Sequence, residues 1–358
     1  MPTPNIAARG RGAGSNVSGR YESREREAFD DGWTGDDEPS PPLRTTVTPE
    51  KARTIITRND SPDVGFDRSI NPYRGCEHGC IYCYARPAHA YMGLSPGLDF
   101  ESRLFFKPNA AALLTRELAK SSYSPATIHI GGNTDPYQPQ ERVLRVTRQV
   151  LEVLAEHRHP LSIITKSGMI TRDLDALGPM GRAGLARAAI SVTTLDRRLA
   201  RVMEPRAASP ERRLAAVRAL AEAGVPTIVM FAPVIPGLND QELEAVLKRA
   251  AEAGAIGAGY VALRLPLEIK DLFREWLEAK LPDRAGRVMS LVRQMRGGKD
   301  YDAKWGQRMR GEGPIAEMIG QRFKIAKRRF GLDTTPPPLD TSQFRVPPRH
   351  GDQLDLFG

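Results

Sequence analysis

Between residues 60 and 330 the chain alternates short apolar runs with longer amphipathic stretches. Runs rich in Ile, Val and Thr predict strands near 69–73, 127–131, 161–165, 188–193, 227–232 and 259–263. The stretch 142–157 sets Val143, Val146, Val150, Leu151 and Leu154 at helical spacing and predicts a helix with one buried face. Two later helices end alike, in Ala221-Glu222-Ala223-Gly224 and Ala251-Glu252-Ala253-Gly254, each glycine suited to a left-handed C′ position. Strand–helix alternation of this kind builds a parallel sheet. The expected fold class is therefore α/β, with six strand–helix units forming an open, partial (β/α)6 barrel rather than the closed eight-unit form.

The two ends break the pattern. Residues 1–60 are rich in Gly, Arg, Asp and Pro with little periodic apolar content, and read as a largely disordered arm, or one draped over the core. Residues 61–330 form the core, with a helical extension over about 265–330. Residues 331–358 form a Pro-rich tail carrying Pro336-Pro337-Pro338.

All 3 cysteines of the 358 residues fall in one short stretch, Cys76-Glu77-His78-Gly79-Cys80-Ile81-Tyr82-Cys83, just after the first predicted strand. Three thiolates so close can hold three irons of a cubane cluster and leave the fourth open to another ligand. Structural zinc is the competing reading, with His78 or His89 as the fourth ligand. An odd number of cysteines argues against a disulfide. Reactive groups of parallel barrels collect at the carboxyl ends of the strands. At that end follow Gly131-Gly132-Asn133-Thr134-Asp135, Lys166-Ser167, Thr193-Thr194, Pro233-Val234-Ile235-Pro236-Gly237 and Arg264. His129, inside the second strand, reads as a core residue, and Glu204, Arg206 and Arg213 as salt-bridging groups.

The net charge of +9 permits a polyanionic partner. Lys299-Asp300-Tyr301, Trp305 and Arg308 alternate charge with aromatics, as a nucleic-acid surface or as a cover for the barrel's open side. No apolar run approaches the roughly 20 residues of a membrane span, so no membrane partner is expected. The first residues carry no hydrophobic stretch, which with few cysteines predicts a cytoplasmic location.

Cys76-x3-Cys80-x2-Cys83, with Tyr82 before the third cysteine and a Gly-Gly turn after strand two, resembles the radical S-adenosylmethionine (SAM) superfamily. Cys-Ile-Tyr-Cys-Tyr-Ala, the run from Thr134 to Glu141 and the segment 233–240 are similar to its spore photoproduct lyase-like branch, and to uncharacterised bacterial members of it more than to the lyase itself. The resemblance implies a [4Fe–4S] cluster on Cys76, Cys80 and Cys83. Its open iron would be chelated by SAM, which is cleaved reductively to a 5′-deoxyadenosyl radical. It implies cofactor-binding roles for Gly131, Gly132, Thr134, Asp135, Lys166, Ser191 and Tyr82, a substrate-facing catalytic role for Tyr84, and an electron donor such as flavodoxin or ferredoxin. The lyase pattern calls for a further cysteine as hydrogen-atom donor, and this chain has none, so thymine-dimer repair by that route is not implied. A radical reaction on DNA or other nucleic-acid bases, repair-like, is expected. The alternatives are a radical enzyme acting on a protein or small metabolite, and a non-catalytic zinc or iron–sulfur module. Gln353-Leu354-Asp355-Leu356-Phe357 resembles the peptide by which bacterial replication and repair proteins bind the sliding clamp.

Overall fold

A computed structural model of the protein describes residues 10–22 and 43–348. Its strands are β1 (Thr46–Pro49), β2 (Ile56–Arg58), β3 (Arg68–Ile70), β4 (Tyr73–Arg74), β5 (Arg103–Phe106), β6 (Ile128–Ile130), β7 (Leu161–Thr165), β8 (Ala186–Ser191), β9 (Thr227–Val234) and β10 (Gly257–Ala262). The main sheet runs β10-β9-β8-β7-β6-β3-β2. Every pairing from β3 to β10 is parallel, and β2 closes one edge antiparallel to β3. The six expected strands are all present, and the partial barrel they form is the one the alternation predicts.

The cause is visible in burial. Leu161, Ile163 and Thr165 of β7 are buried, while the alternate positions Ser162 and Ile164 are half-buried. The helix over Val146–Glu156 closes on the sheet with Val146, Val150, Leu151 and Leu154, each at most 2% exposed. The expected helix 142–157 is broken at Arg145, whose φ of 53° is left-handed, so Val143 in the preceding turn is turned outward. Gly224 and Gly254 do end their helices at positive φ, 82° and 93°, with the next amides returning to Leu220 and Ala250 carbonyls.

A second sheet, β1-β5-β4, lies outside the periodic pattern. β1 is parallel to β5 and β4 antiparallel to it. The barrel's open side, between β10 and β2, is spanned by the segment 301–311. Ala262 N–H donates to the Met309 carbonyl at 2.8 Å, Gly306 N–H to Asp63 Oδ1 at 2.7 Å, and Arg308 to the Asp63 carboxylate and to Ser61 Oγ. This charged and aromatic stretch therefore covers the seam.

The described parts of both ends are packed. Residues 10–19 lie along the cysteine loop, with Arg11 and Ala13 buried. Residues 333–348 run back along the barrel, where Phe344 meets Tyr123 and His159 at ring separations of 5.7 and 5.2 Å. These described stretches fit the alternative of an arm draped over the core, through long-range contacts invisible to local periodicity. The clamp-binding-like peptide at 353–357 lies outside the described residues. No helix among the described residues is long and apolar enough to cross a membrane.

Candidate active site

The cysteine loop leaves β4 and is fixed from behind before it presents any sulfur. Gly79 has φ of +66°, and a Cβ there would lie 2.4 Å from Glu101 Oε2. Arg86, fully buried, donates to the carbonyls of Gly79 and Cys80 at 3.2 and 2.9 Å and to Glu101 at 2.5 Å. Glu101 also accepts from Gly12 N–H and Ala13 N–H, both at 2.8 Å. Neither partner of the Arg86–Glu101 pair is exposed, and removing one member of such a pair costs about 3–5 kcal/mol. A ring around Glu77 completes the fixing: its N–H donates to Gln138 Oε1, and its carboxylate accepts from Thr45, Gln140 and Arg206.

The front of the loop opens into a chamber of about 880 Å³ at the carboxyl ends of the parallel strands. Its walls include Cys76, Cys80, Cys83, Tyr82, Tyr84, Gly131, Gly132, Asp135, Lys166, Ser191, Met230 and Arg264. Gly131 must be glycine: its φ is +94° and a Cβ would stand 2.6 Å from the Ile164 carbonyl oxygen. Tyr84 donates to the Gly132 carbonyl, so it spans from the cysteine loop to the turn after β6. The residue stays 47% exposed, facing the open chamber.

Asp135 is held inward. It accepts from Thr165 Oγ1 at 2.6 Å and Lys166 N–H at 2.8 Å, and meets His78 Nδ1 at 3.3 Å. Burial opposes its ionisation, but His78, Thr165 and the Lys166 amide outweigh it and depress the pKa to about 2. The Asp135 carboxylate, given a cofactor-binding role by the resemblance, ties the cysteine loop to the end of β7. Lys166 projects its ammonium over the Tyr82 ring at 5.8 Å and meets no carboxylate at ion-pair distance among the described residues. Tyr82 is buried, and its hydroxyl reaches Glu204. Glu204 in turn accepts from Thr193 at 2.6 Å and from Arg213, which also donates to the Ser191 carbonyl at 3.1 Å. Glu204 and Arg213 are thus the buried support of Tyr82 and of the end of β8.

Of the cluster, cofactor and substrate residues that the resemblance names, the structure gathers all but Thr134 in the chamber, while Ser167, Thr193, Thr194 and 234–237 lie outside its lining. Thr134 is buried and donates to the Tyr73 carbonyl at 2.9 Å, which makes it an anchor of the turn. His129, read as core, lines the chamber, stacked on Phe66 with centroids 4.2 Å apart and bonded to Ser162 Oγ at 2.9 Å; burial lowers its pKa to about 4. Arg11, Gly12, Arg86 and Glu101 were not foreseen. Only Arg86, three residues past the last cysteine, carried a local signal.

The donor set fits an iron–sulfur cluster better than zinc. His78 is engaged by Asp135, and His89 is buried against the Arg103 carbonyl at 3.0 Å. Burial pushes all three thiols up, with Asp135 adding to the effect at Cys76 and Glu204 at Cys80. Thiolates in such a pocket call for a bound cationic centre to stabilise them.

A partial parallel barrel with a three-cysteine loop at the mouth of its chamber defines the architecture. The Radical SAM superfamily model matches residues 70–250, and the chain belongs to that superfamily. The family implies SAM and an iron–sulfur cluster as cofactors. An uncharacterised protein of Mycobacterium tuberculosis is 34% identical over 291 residues, covering 79% of this chain and 80% of the relative. An uncharacterised protein of Methanocaldococcus jannaschii is 29% identical over 192 residues, covering 54% of this chain and 69% of its own. Among solved structures, spore photoproduct lyase with bound AdoMet and dinucleoside spore photoproduct shares the fold at a TM-score of 0.54 and 16% identity, over 79% of each chain.

Proposed function

We propose that this radical SAM enzyme acts on a nucleic acid or nucleoside. The observation that carries the reading is the chamber itself, where the cysteine loop faces a cavity rimmed by cations and by the stacked Phe66–His129 pair. The basic chain, with net charge +9, is consistent with it. So is the fold shared with a lyase whose solved complex holds a dinucleoside photoproduct. Cys76, Cys80 and Cys83 would hold a [4Fe–4S] cluster, which when bound supplies the electron that breaks the sulfonium carbon–sulfur bond of SAM to give a 5′-deoxyadenosyl radical.

The chain's own residues orient and enclose. Gly131 lets backbone approach the cofactor where any side chain would collide with β7. Lys166 offers an uncommitted ammonium to the cofactor carboxylate, and Ser191 lines the chamber at the end of β8. Tyr84 separates the cysteine loop from the outer chamber and takes the substrate-facing role. In a chain with no further cysteine, its phenolic O–H, released from the Gly132 carbonyl, would pass a hydrogen atom to a product radical. The tyrosyl radical left behind would be restored by one electron from the external donor and one proton from solvent.

The test is anaerobic incubation of reconstituted enzyme with SAM and dithionite, against single-stranded DNA, damaged duplex DNA, nucleosides, and nucleic-acid-free extract. Mass change in a nucleic-acid fraction, with 5′-deoxyadenosine formed in step, is the expected result. Turnover confined to the protein or metabolite fraction would replace this reading with that of a protein- or metabolite-modifying enzyme.

A further inference from the structure

The cations around the chamber are mostly committed. Arg74 pairs with Glu50 at 2.8 Å, Lys107 donates to the Asn71 carbonyl at 2.9 Å, and Arg308 is held by Asp63. Arg264 is different. It follows the sixth parallel strand, lines the chamber, and lies over the Tyr84 ring at 5.3 Å. Its buried Nε has no hydrogen-bond partner, and Nη1 reaches only the Met309 thioether, at 3.6 Å. No carboxylate stands at ion-pair distance from it among the described residues; Asp63 is taken up by Arg308 and the Gly306 amide. A half-buried guanidinium whose buried Nε lacks a partner can satisfy its fork of donors with a planar oxyanion.

We propose that Arg264 is an anion subsite of the chamber, taking a phosphate or carboxylate group of the substrate and setting it beside Tyr84. The proposal rests on the chamber being the substrate site of a radical enzyme, and names a recognition element within it. Lys166, on β7's end against Tyr82, is left for the cofactor, so the two uncommitted cations divide the chamber between cofactor and substrate. Arg264 acts on affinity and orientation. An anion held over its guanidinium would place the neighbouring part of the substrate against the Tyr84 ring.

The holoenzyme, anaerobically reconstituted and loaded with SAM, is titrated with thymidylyl-thymidine, with its neutral methylphosphonate analogue, and with glutarate. Binding to the wild type is compared with Arg264→Gln and Arg264→Lys, with iron content and SAM affinity checking for an intact fold. Wild-type protein should prefer the phosphodiester over its neutral analogue by about tenfold, the scale of one charge-assisted pair. That preference should vanish in Arg264→Gln and survive in part in Arg264→Lys, which keeps the charge without the fork. Arg264-dependent binding of glutarate alone would keep the subsite and overturn the nucleic-acid reading. Binding of neither anion that depends on Arg264, or a preference unchanged in Arg264→Gln, would overturn the subsite.

Discussion

At the scale of single residues, the chamber divides its polar groups into those already satisfied and those still free to bind. Asp135, Thr134, Glu204 and Arg213 are fully engaged within the protein; Lys166 is not. Lys166→Ala should therefore weaken SAM binding while iron content stays at the wild-type level. Loss of one charge-assisted hydrogen bond is worth about 1.5–3 kcal/mol, so affinity should fall at least about tenfold by calorimetric titration. An unchanged constant would return Lys166 to the solvated rim. The sequence made the free groups legible, since each sits just past a strand. It did not separate them from the engaged ones, because Asp135 meets His78 only after the 56 intervening positions of chain have folded. The same limit hid the burial of Glu204 and Arg213, which look like surface salt-bridging groups until Tyr82 is placed above them.

Among the elements, the parallel strands were readable as short apolar runs between helices, with β7 and β9 alternating buried and half-buried positions and β8 buried along most of its length. β1, β4 and β5 were not, since they are two to four residues long and pair across a large separation. The stretch 10–19 left no apolar pattern at all, yet it is the strap that backs the cysteine loop through Arg11, Gly12 and Ala13. Gly12 decides whether the strap can seat: a Cβ there would lie 1.7 Å from the Gly79 carbonyl oxygen, against backbone that cannot yield cheaply. Gly12→Val should therefore lower iron content per chain and speed the loss of visible absorbance in air. Gly65→Ala, where a Cβ meets nothing within 4 Å and φ is ordinary, should behave as wild type. Full iron retention in Gly12→Val would make the strap a passive covering. A drop in iron in both variants would make the effect a general loss of stability.

For the molecule as a whole, the open barrel is made one body by segments that come from far along the chain. Residues 301–311 bridge its seam, and residues 333–348 return past the helix of Val146–Glu156, with Arg345 N–H donating to the His157 carbonyl at 2.9 Å. The fold class was legible from the strand–helix alternation alone, while these long-range bridges were not, because nothing periodic marks them. The terminal peptide Gln353-Leu354-Asp355-Leu356-Phe357 is proposed to recruit the enzyme to a sliding clamp. Ordering so short a segment costs entropy, so a labelled peptide of residues 349–358 should bind purified clamp only at about micromolar strength. Leu356→Ala with Phe357→Ala should abolish the binding. Equal binding with and without those substitutions would remove the recruitment role and leave the chamber chemistry untouched.

The central claim is that Cys76, Cys80 and Cys83 carry the iron that makes this barrel a radical enzyme. Its most direct measurement is 5′-deoxyadenosine formation from SAM and dithionite by the anaerobically reconstituted protein, read beside iron and sulfide content and visible absorbance. Wild-type protein should hold about four irons, the content of a single cubane cluster, and form 5′-deoxyadenosine. Each single Cys→Ala variant should lose both, because the chain's 3 cysteines are all in this loop and a lost thiolate leaves one iron without its anionic ligand. Full iron and undiminished 5′-deoxyadenosine in any one of Cys76→Ala, Cys80→Ala or Cys83→Ala would contradict the account.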